Sequence, residues 1–227
     1  MASDNPLVDL WIDHLGLAVR DVAPVVAALR NDGLKVSDPV ELRGTDGPMG
    51  QVSAHCVFEN FYLEISAPIK GHDNHLWPIL EDGACLGIIV MQCDDATARQ
   101  AALTDAGIAC GPVNDASRTV ALKSGDTTAR FRWFPIEGLV DRAIIAEVEH
   151  RNPETVFASE LGNHANGARR VKRIAMGSDY SPLARLAVGR PDAAPEIKLD
   201  QDLPPRGCTI VTDTGTDLLK LTLEACG

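Results

Sequence analysis

The 227 residues are 45% hydrophobic but only 4% aromatic, and 32 acidic side chains against 21 basic ones leave a formal charge of −11. That length supports one large domain or two small ones, with a core that needs no covalent staples. The acidic balance argues against a nucleic-acid or anionic-membrane partner, since both require a basic footprint.

The first pattern is Trp11-Ile12-Asp13-His14-Leu15-Gly16-Leu17-Ala18-Val19. Period-2 alternation puts Ile12, His14, Gly16 and Ala18 on one side of a strand, and Asp13, Leu15, Leu17 and Val19 on a face suited to a helix. His14 is then either a core histidine or a first ligand. A helix follows between the cap Asp21 and the stop Gly33, with Pro24 tolerated in its first turn. Leu34 to Val40 reads as a short strand, and Gly44 to Gly50 as turn chemistry that lacks the Lys of a phosphate loop. Strands at Gln51 to Phe58 and Phe61 to Ser66 are joined by a tight Glu59-Asn60 turn. Pro68 to Pro78 is a loop carrying His72, His75 and Trp77, with no role assigned to either histidine.

The pattern then recurs. Cys85-Leu86-Gly87-Ile88-Ile89-Val90 echoes the run from His14 to Val19, and Asp94-Asp95 caps a helix that Gly107 closes. Strands are expected at 117–123, 128–134 and 143–149. Self-similarity over roughly 70–80 residues is too long for a solenoid and fits a duplicated βαβββ unit. Two such units would span 8–150. Residues 151–227 read as an extension and degenerate third unit: a strand at Arg170 to Met176, a short helix at Ser181 to Ala187, and a hairpin of Gly207 to Val211 with Leu218 to Leu223. The 6 cysteines, at 56, 85, 93, 110, 208 and 226, form no CxxC pair, so neither a disulfide framework nor structural zinc is expected. MASDNPLVDL carries no secretory pattern, no run of ~18 apolar residues follows, and a reduced cytoplasmic protein is expected.

A duplicated βαβββ unit opening on Ile12-Asp13-His14-Leu15-Gly16-Leu17-Ala18-Val19 resembles the vicinal oxygen chelate superfamily, which includes glyoxalase I, extradiol dioxygenases and bleomycin-resistance proteins. Phe61-Tyr62-Leu63-Glu64-Ile65 and Glu149-His150-Arg151-Asn152-Pro153-Glu154 close the two units in the manner of its glyoxalase-like branch. Asn163-His164-Ala165-Asn166-Gly167-Ala168 is similar to that branch's His-Pro-Asn-Gly-Ala signature, with Ala165 in place of Pro. The resemblance implies an α+β fold whose curved mixed sheets form a cup. In metal-using members, a divalent ion in the cup takes ligands from the first and last strands of each unit.

On that frame His14 and Glu64 form a half-site for Zn, Fe, Mn, Ni or Co. Glu64 shares a face with Tyr62 and Ser66, and an inward carboxylate is costly unless paired or metal-bound. The second half-site is weaker. Cys85 stands opposite His14 and suits a small buried hydrophobe as well as a ligand. Aligning Pro68 with Pro153 selects Glu149 as the ligand, with Glu147 then a proton shuttle; matching Ala-Glu-Val to Leu-Glu-Ile would select Glu147 instead. His55, Arg130, Arg132 and His150 are the candidate substrate contacts, a guanidinium in the cup favouring a carboxylate. His164 and Asn166 either position groups near the cup or stabilise a turn.

Three functions follow from this set. The first is a divalent-metal-dependent lyase or isomerase acting on a small carbonyl or carboxylate compound. The second is a metal-free module that sequesters a small molecule, which Cys85 favours. The third, an Fe(II) dioxygenase, would want a histidine-rich triad. Whether the units pair within one chain or across a homodimer is left open.

Overall fold

The computed structural model describes residues 7, 10–44, 47–187 and 191–224, apart from the side chain of Asp82. The first residues of the unit expected from residue 8, the turn tip Thr45-Asp46 and Cys226 lie outside the described residues.

Each unit runs strand, helix, three strands. The first consists of β1 (Ile12–Ala18), α1 (Val22–Asn31), β2 (Val40–Gly44), β3 (Gly47–Phe58) and β4 (Phe61–Pro68). After the short helix α2 (Leu76–Ile79), the second consists of β5 (Cys85–Gln92), α3 (Ala96–Asp105), β6 (Asn114–Leu122), β7 (Gly125–Ile136) and β8 (Ile144–His150). Both helices begin where the sequence places caps: Asp21 accepts from the Ala23 amide, and Asp95 from those of Thr97 and Ala98.

The eight strands close in the order β1-β4-β3-β2-β6-β7-β8-β5. The units meet along an antiparallel β1–β5 seam and a short β2–β6 contact, Arg43 opposite Ser117 and Gly44 opposite Ala116. The repeated Leu-Gly of the two opening strands has a packing cause. A Cβ on Gly16 would lie 2.7 Å from the Ile88 Cβ, and one on Gly87 would lie 3.0 Å from the Ala18 Cβ. Helix α1 lays Val22, Val25, Val26 and Leu29 on the outer barrel face, where Leu15, Leu17, Leu63 and Ile65 complete the main core. Inside, Leu76, Ile79 and Leu80 pack around Ala18, while Val156 of α4 (Pro153–Val156) packs with Val57 and Tyr62.

A separate three-stranded sheet follows, with β9 (Val171–Met176) between β10 (Glu196–Leu199) and β11 (Cys208–Thr212). Helix α5 (Leu218–Glu224) packs against β11 and α1. Among the described residues, no helix is long and apolar enough to cross a membrane.

Two expected elements differ. Residues 34–39 are not a strand, because their amides are taken elsewhere: Leu34 by the Leu29 carbonyl, Lys35 by His164 Nδ1 and Ser37 by the His55 carbonyl. Leu218 to Leu223 is helical, not the second arm of a hairpin. Asp217 Oδ1 accepts from the Leu219 and Lys220 amides, and the buried set Leu218, Leu219 and Thr222 has helical spacing. Alternation over six residues was ambiguous between the two periods.

Candidate ligand cup

The barrel interior forms a cup of about 680 Å³, a volume that includes its mouth open to solvent. Its two halves differ in chemistry. The first unit contributes His14 from β1, Gln51 and His55 from β3, and Tyr62 and Glu64 from β4. The second contributes Ile88, Val90, Phe131, Trp133, Ile144, Ala146 and Val148, together with one cation, Arg118 of β6.

His14 and Glu64 meet, with Nε2 to Oε2 at 3.3 Å. The other carboxylate oxygen, Oε1, accepts from Ser53 Oγ at 2.8 Å, Gln51 Nε2 at 3.2 Å and Ser66 Oγ. His14 Nδ1 bonds Asp13 Oδ2 at 2.7 Å, and Asp13 Oδ1 accepts from His150 Nε2 at 2.8 Å. Tyr62 stacks on the His14 ring, with centroids 4.2 Å apart and planes at 18°.

Burial, the largest influence on these groups, disfavours every charge, and pairing more than offsets it. The hydrogen bond and charge of His14, with the Ser66 hydroxyl, hold Glu64 well below the carboxylate range. His150 and His14 do the same for Asp13. The two carboxylates raise His14 above its ordinary 6.5. His55 has no such help: burial and the nearby Arg118 charge push it well below 6.5, so it is neutral.

The remaining sequence candidates divide cleanly. Glu147 and Glu149 lie on the outer face of β8, because Ile144, Ala146 and Val148 are the residues of that strand that line the cavity. Glu147 pairs with Arg99 of α3, whose Nε lies 2.9 Å from Oε2 and whose Nη2 also reaches the Leu186 carbonyl. Burial raises the Glu147 carboxyl despite that pairing. Glu149 accepts from the Ala96 amide at 3.0 Å and from Arg151. Neither can join His14 and Glu64. Replacing Arg99 with Ala is expected to cost about 2 kcal/mol in urea denaturation, since it leaves the buried Glu147 carboxyl unpaired. Ligand affinity in the cup should not change.

Arg132 points outward to Thr97 Oγ1, at 2.7 Å, and Arg130 is exposed, while the alternating Phe131 and Trp133 face in. Cys85 packs at the edge of the inner cluster, with its thiol 3.7 Å from the Ile79 carbonyl. His164 is a stitch: Nδ1 accepts from the Lys35 amide and Nε2 reaches the Val57 carbonyl at 3.0 Å. Asn166 closes its own turn by accepting from the Ala168 amide.

Sequence reasoning missed Asp13, Arg118, Gln51 and His75, all of which sit in or against the cup. Asp13 escapes simple alternation through a bulge. Ile12 pairs with Met91 and His14 with Val90, so Asp13 is an extra residue turned toward its neighbour. Arg118 was legible from parity, since it shares one strand face with the buried Ala116 and Val120.

A closed barrel of two βαβββ units with this inward face defines the vicinal oxygen chelate class. Within it, the chain belongs to the family described as "Glyoxalase-like domain", whose model matches residues 12–187. A hypothetical protein from Staphylococcus aureus shares the fold at a TM-score of 0.56 and 9% identity, over 85% of this chain and 87% of that one. Methylmalonyl-CoA epimerase from Mycobacterium tuberculosis aligns at 0.45 and 17% identity, over 66% of this chain and 92% of that one. A Streptomyces coelicolor methylmalonyl-CoA epimerase variant in complex with 2-nitronate-propionyl-CoA aligns at 0.47 and 18%, over 63% and 99%. No curated protein sequence gave a significant match.

The divalent ion typical of the superfamily does not fit the residues present. His14 and Glu64 supply one half-site, but the facing strands offer Ile88, Val90, Ala146 and Val148, none of which can coordinate. Among the described residues no three His, Cys, Asp or Glu side chains converge on one point.

Proposed function

We propose that the cup binds a small organic carboxylate, seated on Arg118 and packed against the apolar wall of the second unit, without a resident metal ion. One observation carries this reading. Arg118 is 6% exposed and lines the cavity, and its Nη2 is buried with no hydrogen-bond partner among the described residues. A guanidinium nitrogen withdrawn from water without an acceptor is costly, and a ligand carboxylate would supply the acceptor that Nη2 lacks. The Tyr62 ring, 5.7 Å from the guanidinium carbon, supports the cation from one side. Ile88, Val90, Phe131 and Trp133 would cover an apolar body.

A second reading is isomerase-type proton transfer on the bound carboxylate. It is favoured by the His14–Glu64 contact, which at 3.3 Å is loose and lines the cavity. Glu64, ionised but weakened as a base by its lowered pKa, would take the proton at Oε2, and the raised pKa of His14 would let it donate at Nε2.

One experiment addresses both. The protein is incubated in D2O with excess chelator and a panel of aryl and alkyl carboxylates, each beside its neutral amide. Saturation-transfer NMR should show binding of the acids and not of the amides, and deuterium should appear at the carbon next to the carboxyl if the proton-transfer reading holds. Equal binding of acids and amides, or binding abolished by the chelator, would defeat the metal-free carboxylate reading. Binding without exchange leaves a sequestering module.

A further inference from the structure

Two more side chains of the cup carry unmet hydrogen-bonding capacity, and together they restrict the ligand further. Gln51 is 2% exposed and its Oε1 has no partner among the described residues; His55 is 5% exposed and its Nδ1 has none. Both line the same cavity as Arg118. The orientation of the Gln51 amide is not arbitrary. Its Nε2 lies 3.2 Å from Glu64 Oε1, 3.0 Å from Ser66 Oγ and 3.2 Å from Ser53 Oγ, which share its two hydrogens. Reversing the amide would press its carbonyl oxygen against a carboxylate already held by two hydroxyls. Glu64 therefore fixes the amide with its acceptor end unmet.

A buried carbonyl oxygen without a donor costs free energy unless a ligand or an ordered water supplies one. A carboxylate can satisfy Arg118 but cannot donate to Gln51. The neutral His55 ring, in β3 directly opposite Glu64 in β4, adds one donor and one acceptor to the same wall. An ammonium group could donate to Gln51, but it would bring a second cation into a cup that already holds Arg118. A hydroxyl donates without charge and can accept from His55 in return.

We infer that the ligand is a hydroxy carboxylate: its carboxylate on Arg118, its hydroxyl donating to Gln51 Oε1 beside His55, and its apolar body against the second unit. This rests on the carboxylate reading above and names the ligand class for that same site.

The test is isothermal titration of the wild-type protein, with chelator present, against one carbon skeleton. The series is 3-phenylpropanoate, its 2-hydroxy and 3-hydroxy derivatives, the 2-oxo acid and the 2-amino acid. At least one hydroxy acid should bind about tenfold or more tightly than 3-phenylpropanoate, the size expected for satisfying a buried acceptor. In Gln51→Met that ratio should fall to within about threefold, with 3-phenylpropanoate affinity reporting that the cup is intact. If the parent, 2-oxo or 2-amino acid binds as tightly as the hydroxy acids, or the ratio is unchanged in Gln51→Met, the hydroxyl assignment is overturned while the carboxylate reading stands. If no acid of the series binds, both fall.

Discussion

Arg118→Met should weaken carboxylate binding on the order of a hundredfold or more while leaving the unliganded protein as stable as wild type, or more so. Truncating one member of a desolvated charge pair costs about 2–5 kcal/mol of affinity. The opposite sign for stability follows from the unliganded state. Arg118 Nη2 is buried with no partner among the described residues, so that nitrogen is desolvated with no hydrogen bond to offset the cost. Methionine removes that penalty and fills similar space beside Tyr62. Arg118→Lys should be intermediate in affinity, since it retains the charge but not the two-pronged geometry. Thermal unfolding of both variants, beside titration with a bound acid, separates the effects. A variant that binds normally, or that loses binding only because it unfolds, would refute the anchor.

Asp13→Asn carries the largest expected loss of stability, about 3 kcal/mol near pH 5–6. It removes the charge that faces two imidazoles, and breaking one side of a buried pair leaves the other uncompensated. The pH profile is the sharper readout. Asp13 titrates well below its ordinary 3.8, so its contribution is present above about pH 4 and fades as acid protonates it. His14 titrates above its ordinary 6.5, so its contribution is complete below 6.5 and fades as pH rises through the raised value. The gap between wild type and Asp13→Asn should therefore be widest between about pH 4 and 6.5 and narrow on both sides. Urea denaturation at several pH values measures it. A gap that stays flat from pH 3 to pH 9 would show that Asp13 acts by packing alone.

These two residues mark where reading the sequence met its limit. His14 and Glu64 were both placed by strand parity, and the structure brings them within 3.3 Å. Parity also held for the alternation of Arg130 and Arg132 with Phe131 and Trp133, yet alternation alone does not say which set faces inward. Aligning the two units set Glu149 or Glu147 opposite Glu64, whereas β8 turns both toward α3, Glu147 onto Arg99 and Glu149 onto the Ala96 amide. Arg99 is the residue that would have corrected this, being a cation on the helix laid over that face.

The sequence by itself determined the duplicated βαβββ order, the caps at Asp21 and Asp95, the outer apolar stripe and one polar half of the cup. All of these depend on neighbours within a few residues or on an internal echo. The tertiary structure alone decided that the second half is apolar, that a bulge turns Asp13 onto His14, and that Arg118 and Gln51 share one cavity. Barrel closure and strand register set those relations, and both arise from pairings between residues far apart in the chain.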